Sequence, residues 1–163
     1  MISGQLATSY RFQVSFSPSP GTGPGKPLGA GGFSEVGGLD VEMDVAEFAP
    51  GGRNRMVVQR VGRAKLTRLT LKRGMVFNPD AGANAAVEPA FWSWLADCVG
   101  GVLPIRRYDV TIQVMMQNQA VATWFAQRAV PAKVVGPRLN AMTGDVAIEE
   151  LQLAHELLKL VTP

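Results

Sequence analysis

The sequence predicts a mainly β protein, an antiparallel β-barrel or sandwich with one flanking α-helix. Three observations predict it. Several short segments alternate apolar and polar residues with the two-residue period of a half-buried strand. Glycine and proline clusters punctuate these segments as turns do. One stretch alone, near residues 89–99, carries helical spacing. A chain of 163 residues is the size of one ordinary domain, and residues 1–163 are read as one. Area scaling implies that about 69% of the unfolded surface becomes buried, enough for a core without covalent staples.

From Tyr10 to Phe16 the alternation is strict, with Tyr10, Phe12, Val14 and Phe16 opposed to Arg11, Gln13 and Ser15. Residues 17–32 are rich in proline and glycine and read as a long mobile surface loop. Strand character returns over 33–45, with Val41, Met43 and Val45 facing one way and Glu42 and Asp44 the other. Pro50-Gly51-Gly52 marks a turn. Residues 56–61 and 65–73 read as two strands separated at Gly62, and 78–83 as a further turn. In the helical stretch Pro89 suits the first turn, Phe91, Leu95 and Cys98 share a face widened by Trp92 and Val99, and Gly100-Gly101 is a stop signal. Residues 108–116 alternate again, and 121–125 and 130–135 are shorter strand candidates. The tail, 145–160, is ambiguous. As strand it needs a β-bulge to reconcile Val146 and Ile148 with Leu151 and Leu153; as helix it would place Leu151, Ala154, His155 and Leu158 on one face.

Composition limits the chemistry. A lone cysteine, Cys98, excludes an internal disulfide framework, and with a lone histidine, His155, it leaves no ordinary zinc site. Acids surround His155 (Glu149, Glu150 and Glu156), but no nucleophile is indicated, so a packed or interface histidine is the better reading. Cys98 reads as a small core residue. The glycines of 17–32 lack the phosphate-loop pattern and no helix follows them, so no cofactor is expected. Trp92 reads as core, whereas Trp94 falls off that face toward a neighbour. No apolar run is long enough for a membrane helix, and no signal peptide is recognisable, so synthesis and assembly are expected in the cytoplasm.

Charge is distributed in blocks. Eight of the 16 basic residues lie between Arg53 and Arg73, while Glu35, Asp40, Glu42, Asp44 and Glu47 precede them without an intervening base. Adjacent blocks of opposite sign suggest a surface that meets something charged, including another copy of itself. A basic β-barrel that binds nucleic acid is the alternative in a different class, although the acidic block would offset its field.

The runs FSEVGGLDVEMDVAEFAPGGRN and VQRVGRAKLTRLTLKRGM resemble the tube proteins of contractile phage tails and contractile injection systems. The resemblance continues in order through FWSWL, RRYDVTIQVM, VATWFAQRAVPAKVVGP and VAIEELQLAHELL, covering about residues 10–158. The chain departs from the family's aromatic-Arg-Glu-Gly-Gly turn at Phe48-Ala49-Pro50-Gly51-Gly52, and the loop 17–32 is longer than usual. The resemblance implies a non-enzymatic tube subunit whose hexameric rings stack into a hollow tube, driven through a target envelope by sheath contraction. It also implies a strand in the ambiguous tail. Implied partners are further copies of the chain, a sheath protein, baseplate and spike proteins, and effector or DNA cargo in the lumen. The implied location is a phage virion or an injection particle. A specialised tube-initiating or baseplate ring of the same machine is the alternative within the family.

On that reading the ring contact is a hairpin carrying Val41, Met43, Val45, Gly51, Gly52, Arg53, Arg55 and Val57, and Phe91, Trp92, Leu95 and Cys98 form the helix core. Glu42, Asp44 and Glu47 would face Arg53, Arg55 and Arg60 across the hairpin or the subunit boundary. Such exposed pairs contribute only about 0–1 kcal/mol each, so apolar contacts and ladder bonds should supply most of the ring's stability.

Overall fold

The computed structural model describes residues 11–23, 28, 32–52, 57–77 and 86–161. Among the described residues nine strands and one helix follow in chain order: β1 Phe12–Pro18, β2 Phe33–Gly37, β3 Val41–Phe48, β4 Val58–Leu66, β5 Leu69–Gly74, α1 Ala90–Val99, β6 Tyr108–Met116, β7 Gln119–Val135, β8 Ile148–Ala154 and β9 Leu157–Val161. All pairings are antiparallel, along the path β1-β6-β7-β8-β5-β2, with β9 beside β7. The path ends at β1 and β2, which do not pair. The described strands therefore make an open sandwich and not a closed barrel.

β7 joins the two layers. Its first part pairs with β6 and β9, and its last part, from Val130, pairs with β8. The sequence suggests two strands here because Gln127-Arg128 interrupts the alternation. The structure continues through them as a bulge: Val110 faces Ala126, Tyr108 faces Ala129, and Arg128 adopts φ 53°. Asp109 holds the bulge, accepting the Arg128 backbone N–H at 2.9 Å and the Ser19 hydroxyl at 2.5 Å.

That same contact revises the reading of 17–32. Ser17 and Pro18 belong to β1, Ser19 and Thr22 are buried, and the Thr22 hydroxyl donates to the Ser19 carbonyl at 2.7 Å. Leu28 joins the hydrophobic core. The described part of this segment is thus anchored by polar contacts that composition does not reveal.

The tail is strand, as β8 and β9. No bulge in β8 is needed. Glu149, Leu151 and Leu153 all face inward, because Arg73 meets the buried Glu149 carboxylate, and Val146 and Ile148 stay exposed. The irregularity lies instead in β7, between Pro131 and Lys133. Likewise β4 runs through Gly62 rather than stopping there, and the break falls at Thr67-Arg68. The expected turn at 78–83 lies outside the described residues.

One end of the sandwich is filled by aromatic rings. Phe16 lies 6.2 Å from Phe33 and 6.1 Å from Phe91, and Trp94 meets Tyr108 edge-on at 4.9 Å. α1 covers this end, starting directly after Pro89 and closing at Gly100, whose N–H bonds the Ala96 carbonyl. Its buried residues are Phe91 and Trp94, with Leu95 and Cys98 half-buried. Trp92 is therefore not core: it is 40% exposed and lies across Gly136. Trp94 takes the inward position because its indole N–H reaches the Arg106 carbonyl at 2.9 Å.

Candidate assembly interface

The hairpin of β3 and β4 stands apart from the main sheet and pairs only with itself. Gly38 starts its departure. With φ +79° and its Cβ position occupied by the Arg68 carbonyl, this residue has room for no side chain, and the chain turns out of β2 there. At the base Val41 faces Leu66, which packs against the core. Cross-strand partners share a face. The face of Val41 is therefore the core-facing side of the body continued into solvent.

Along that face Met43 opposes Ala64 and Val45 opposes Val61. Between these pairs the register shifts, and Gly62 lies against Asp44: an added Cβ would sit 2.9 Å from the Asp44 carbonyl oxygen. Every residue of β3 is exposed, as is all of β4 except Leu66. Val45 is 60% exposed and Val61 72% exposed. An isolated two-stranded hairpin is marginal in water, and an exposed apolar face of this kind marks a contact surface.

The opposite face is charged, with a different pairing from that expected. Glu42 is in register with Lys65, and Asp44 pairs with Lys65 at 2.6 Å. On this charged face the Arg60 guanidinium lies 4.7 Å above the Phe48 ring, whereas Glu47, on the Val45 face, accepts from the Gln59 amide at 3.2 Å. Arg53 and Arg55 lie outside the described residues. Of the two turn glycines Gly52 has a positive φ, +89°, and Gly51 does not need glycine's freedom. Val57 is exposed just before β4. Val61 and Phe48 join the exposed apolar set without having been singled out in the sequence, because Gly62 breaks the alternation that would have flagged Val61.

Acids take up three of the basic block's described side chains. Arg73 is buried against Glu149, Lys72 pairs with Glu35 at 2.9 Å, and Lys65 with Asp44. The bond from Glu35 raises the Lys72 pKa. Nor do the acids near His155 gather around it. Glu149 points inward to Arg73, Glu150 accepts from Gln152, and Glu156 pairs with Arg107 and Arg128 at 3.1 Å. The imidazole Nε2 lies 3.0 Å from the Thr67 carbonyl. Among the described residues no group of three His, Cys, Asp or Glu side chains could hold a metal. Burial raises the Cys98 thiol pKa, as suits a packed side chain and not a nucleophile. No described helix is long and apolar enough to cross a membrane.

Known proteins share this fold and, in one family, its sequence pattern. Residues 8–159 match the family model of the T4-like virus tail tube protein gp19. A chain in the cryo-EM structure of the anti-feeding prophage baseplate, 6-fold symmetrised, is 22% identical with a TM-score of 0.75, covering 98% of this chain and 97% of that one. A chain in the sheath–tube complex of the PVC extracellular contractile injection system, in the extended state, is 21% identical with a TM-score of 0.72, covering 99% and 95%. A third, from the anti-feeding prophage tube-terminating cap, is 18% identical with a TM-score of 0.71, covering 100% and 95%. No curated protein matches the sequence.

Proposed function

The chain belongs to the T4-like virus tail tube protein family, and on that premise we propose that six copies close into a ring through the β3–β4 hairpin and that rings stack into a tube. It is a structural subunit of a contractile tail or contractile injection system, not an enzyme. The observation that carries the ring reading is the hairpin itself: a strand pair whose apolar face has no partner among the described residues. The hairpin and the surface it would meet are different parts of one molecule. Association is then heterologous, which closes as a ring or propagates as a filament. The sixfold symmetry of the anti-feeding prophage baseplate favours closure at six.

In the working particle the tube supplies stiffness and a lumen for effector or DNA, and the energy comes from contraction of a surrounding sheath. Assembly takes place in the cytoplasm. The likeness to a baseplate chain gives a second reading, a specialised ring that joins tube to baseplate. Copy number separates them: hundreds per particle mark the main tube, a few mark the baseplate ring.

Negative-stain microscopy of the purified protein tests the ring. Rings of six or short tubes are expected. Only single subunits, at high concentration and low salt, would contradict the proposal.

A further inference from the structure

The β3–β4 hairpin is a lever on a short hinge. It joins the body through residues 38–40 on one strand and 67–68 on the other. Leu39 and Leu66 pack against the core there, and the Thr67 N–H donates to the Asp40 carbonyl in a long bond of 3.4 Å. Apolar packing is non-directional and tolerates sliding. With eight residues in β3 at about 3.3 Å each, a turn of ~10° at the hinge moves the tip by ~4–5 Å. These contacts alone leave the hairpin's direction loosely set.

A directional contact from the body reaches this hinge. The β5–β8 ladder runs to the pair Leu69–Leu153, and the same register two residues further sets Thr67 opposite His155. β8 ends at Ala154, and the imidazole takes over from the ladder: its Nε2 lies 3.0 Å from the Thr67 carbonyl. A carbonyl oxygen only accepts, so the proton is assigned to Nε2. The turn that carries the ring is itself pinned. The Glu156 N–H donates to the Gln127 carbonyl at 3.0 Å, and its carboxylate meets Arg107 and Arg128 at 3.1 Å each. We infer that His155 is a positioning residue: by donating to the Thr67 carbonyl it fixes the direction in which the hairpin leaves the body.

The other ring nitrogen supports this reading. Nδ1 is buried and has no hydrogen-bond partner among the described residues. A buried acceptor without a partner costs stability that an apolar side chain of similar size would not, so packing alone does not account for an imidazole here. The contact belongs to the single subunit and stands whether or not rings form. On the ring reading it has a use, since identical copies close a ring only where each hairpin reaches its neighbour at the same angle.

Single-molecule energy transfer tests the inference. In a Cys98→Ala background, Val58→Cys near the hairpin tip and Val99→Cys at the end of α1 carry a donor and an acceptor dye; both sites are exposed. At picomolar concentration only molecules with one dye of each kind are read, so the distance lies within one subunit. With His155 in place the donor decay should give one narrow distance. His155→Gln, whose amide can donate to the same carbonyl, should keep it. His155→Leu should give a broad distribution while retaining the near-ultraviolet circular dichroism of the folded body. A broad distribution with His155 present, or a narrow one in His155→Leu, would overturn the inference. Broadening in both variants would also overturn it, because the shape of the ring and not its donated bond would then matter. Nitrogen-15 NMR of the wild type supplies a check that needs no variant: the imidazole proton is expected on Nε2 and in slow exchange with water. The Nδ1–H tautomer would overturn the inference even where His155→Leu fails to fold.

Discussion

The Arg73 Nε donates to Glu149 Oε1 at 2.7 Å, and both side chains are 1% exposed. The pair ties β5 to β8 beneath α1, where the guanidinium also lies 3.9 Å from the Phe91 ring and 3.5 Å from a Glu88 oxygen. Glu149 Oε2 has no hydrogen-bond partner among the described residues. A buried charge pair is costly to break from one side, because the remaining charge is left in a low dielectric. Arg73→Met should therefore destabilise the subunit by about 3–5 kcal/mol. Arg73→Met combined with Glu149→Leu should recover much of that loss. Urea unfolding of the three proteins checks it; a single variant as stable as the double would refute the pairing account.

The inward tryptophan is Trp94. Trp94→Phe removes the hydrogen bond to Arg106 and loosens the contact with Tyr108, with an expected cost of about 1–3 kcal/mol. Trp92→Phe, at an exposed site, should stay within about 0.5 kcal/mol. Denaturant midpoints rank the two variants, and the reverse order would mean that the helix is rotated from the position described.

These two cases show what the sequence made legible. Alternation located β1 and β6 to within a few residues but ran β2 and β3 together over 33–45, since the departure at Gly38 leaves no period, and helical spacing located α1, because burial on one face leaves one. It misplaced the face of α1 since Phe91, Leu95 and Cys98 fit one stripe equally well with Trp92 or Trp94 beside them. The phase of β8 was hidden because an inward glutamate breaks the apolar pattern, and only its distant partner Arg73 explains it. β7 read as two strands because a bulge held by Asp109 interrupts the alternation. The hairpin's apolar residues were visible, but alternation alone implies half-burial. Its full exposure follows from tertiary separation, which no local pattern encodes.

Two glycines should behave differently. Gly38→Ala places a methyl group against the Arg68 carbonyl at a positive φ, and should destabilise the fold itself. Gly52→Val meets no neighbour within 4 Å but carries the strain of φ +89°, about 1–2 kcal/mol confined to the hairpin tip. Thermal unfolding should separate them. Light scattering at moderate salt should find ring assembly impaired more by Gly52→Val than by Arg55→Ala. The opposite order would mean that charge at the tip dominates assembly.

Cys98 gives a pH test. Burial, followed by the nearby Asp97, raises its thiol pKa, so less thiolate is present at pH 8 than for a free cysteine. Alkylation by iodoacetamide should be slower than for a cysteine-containing peptide, with a pH–rate midpoint on the alkaline side of the peptide's. A midpoint below the peptide's would contradict the packing of this face.

On the ring proposal the apolar face of the β3–β4 hairpin holds neighbouring subunits together, and sedimentation velocity of Val45→Asp/Val61→Asp tests that most directly. Both side chains are exposed in the single subunit, so the variant should keep the near-ultraviolet circular dichroism of the wild type. At a concentration where the wild type sediments as rings, the variant is predicted to sediment as single subunits. A folded variant that sediments as rings at the same concentration would contradict the account.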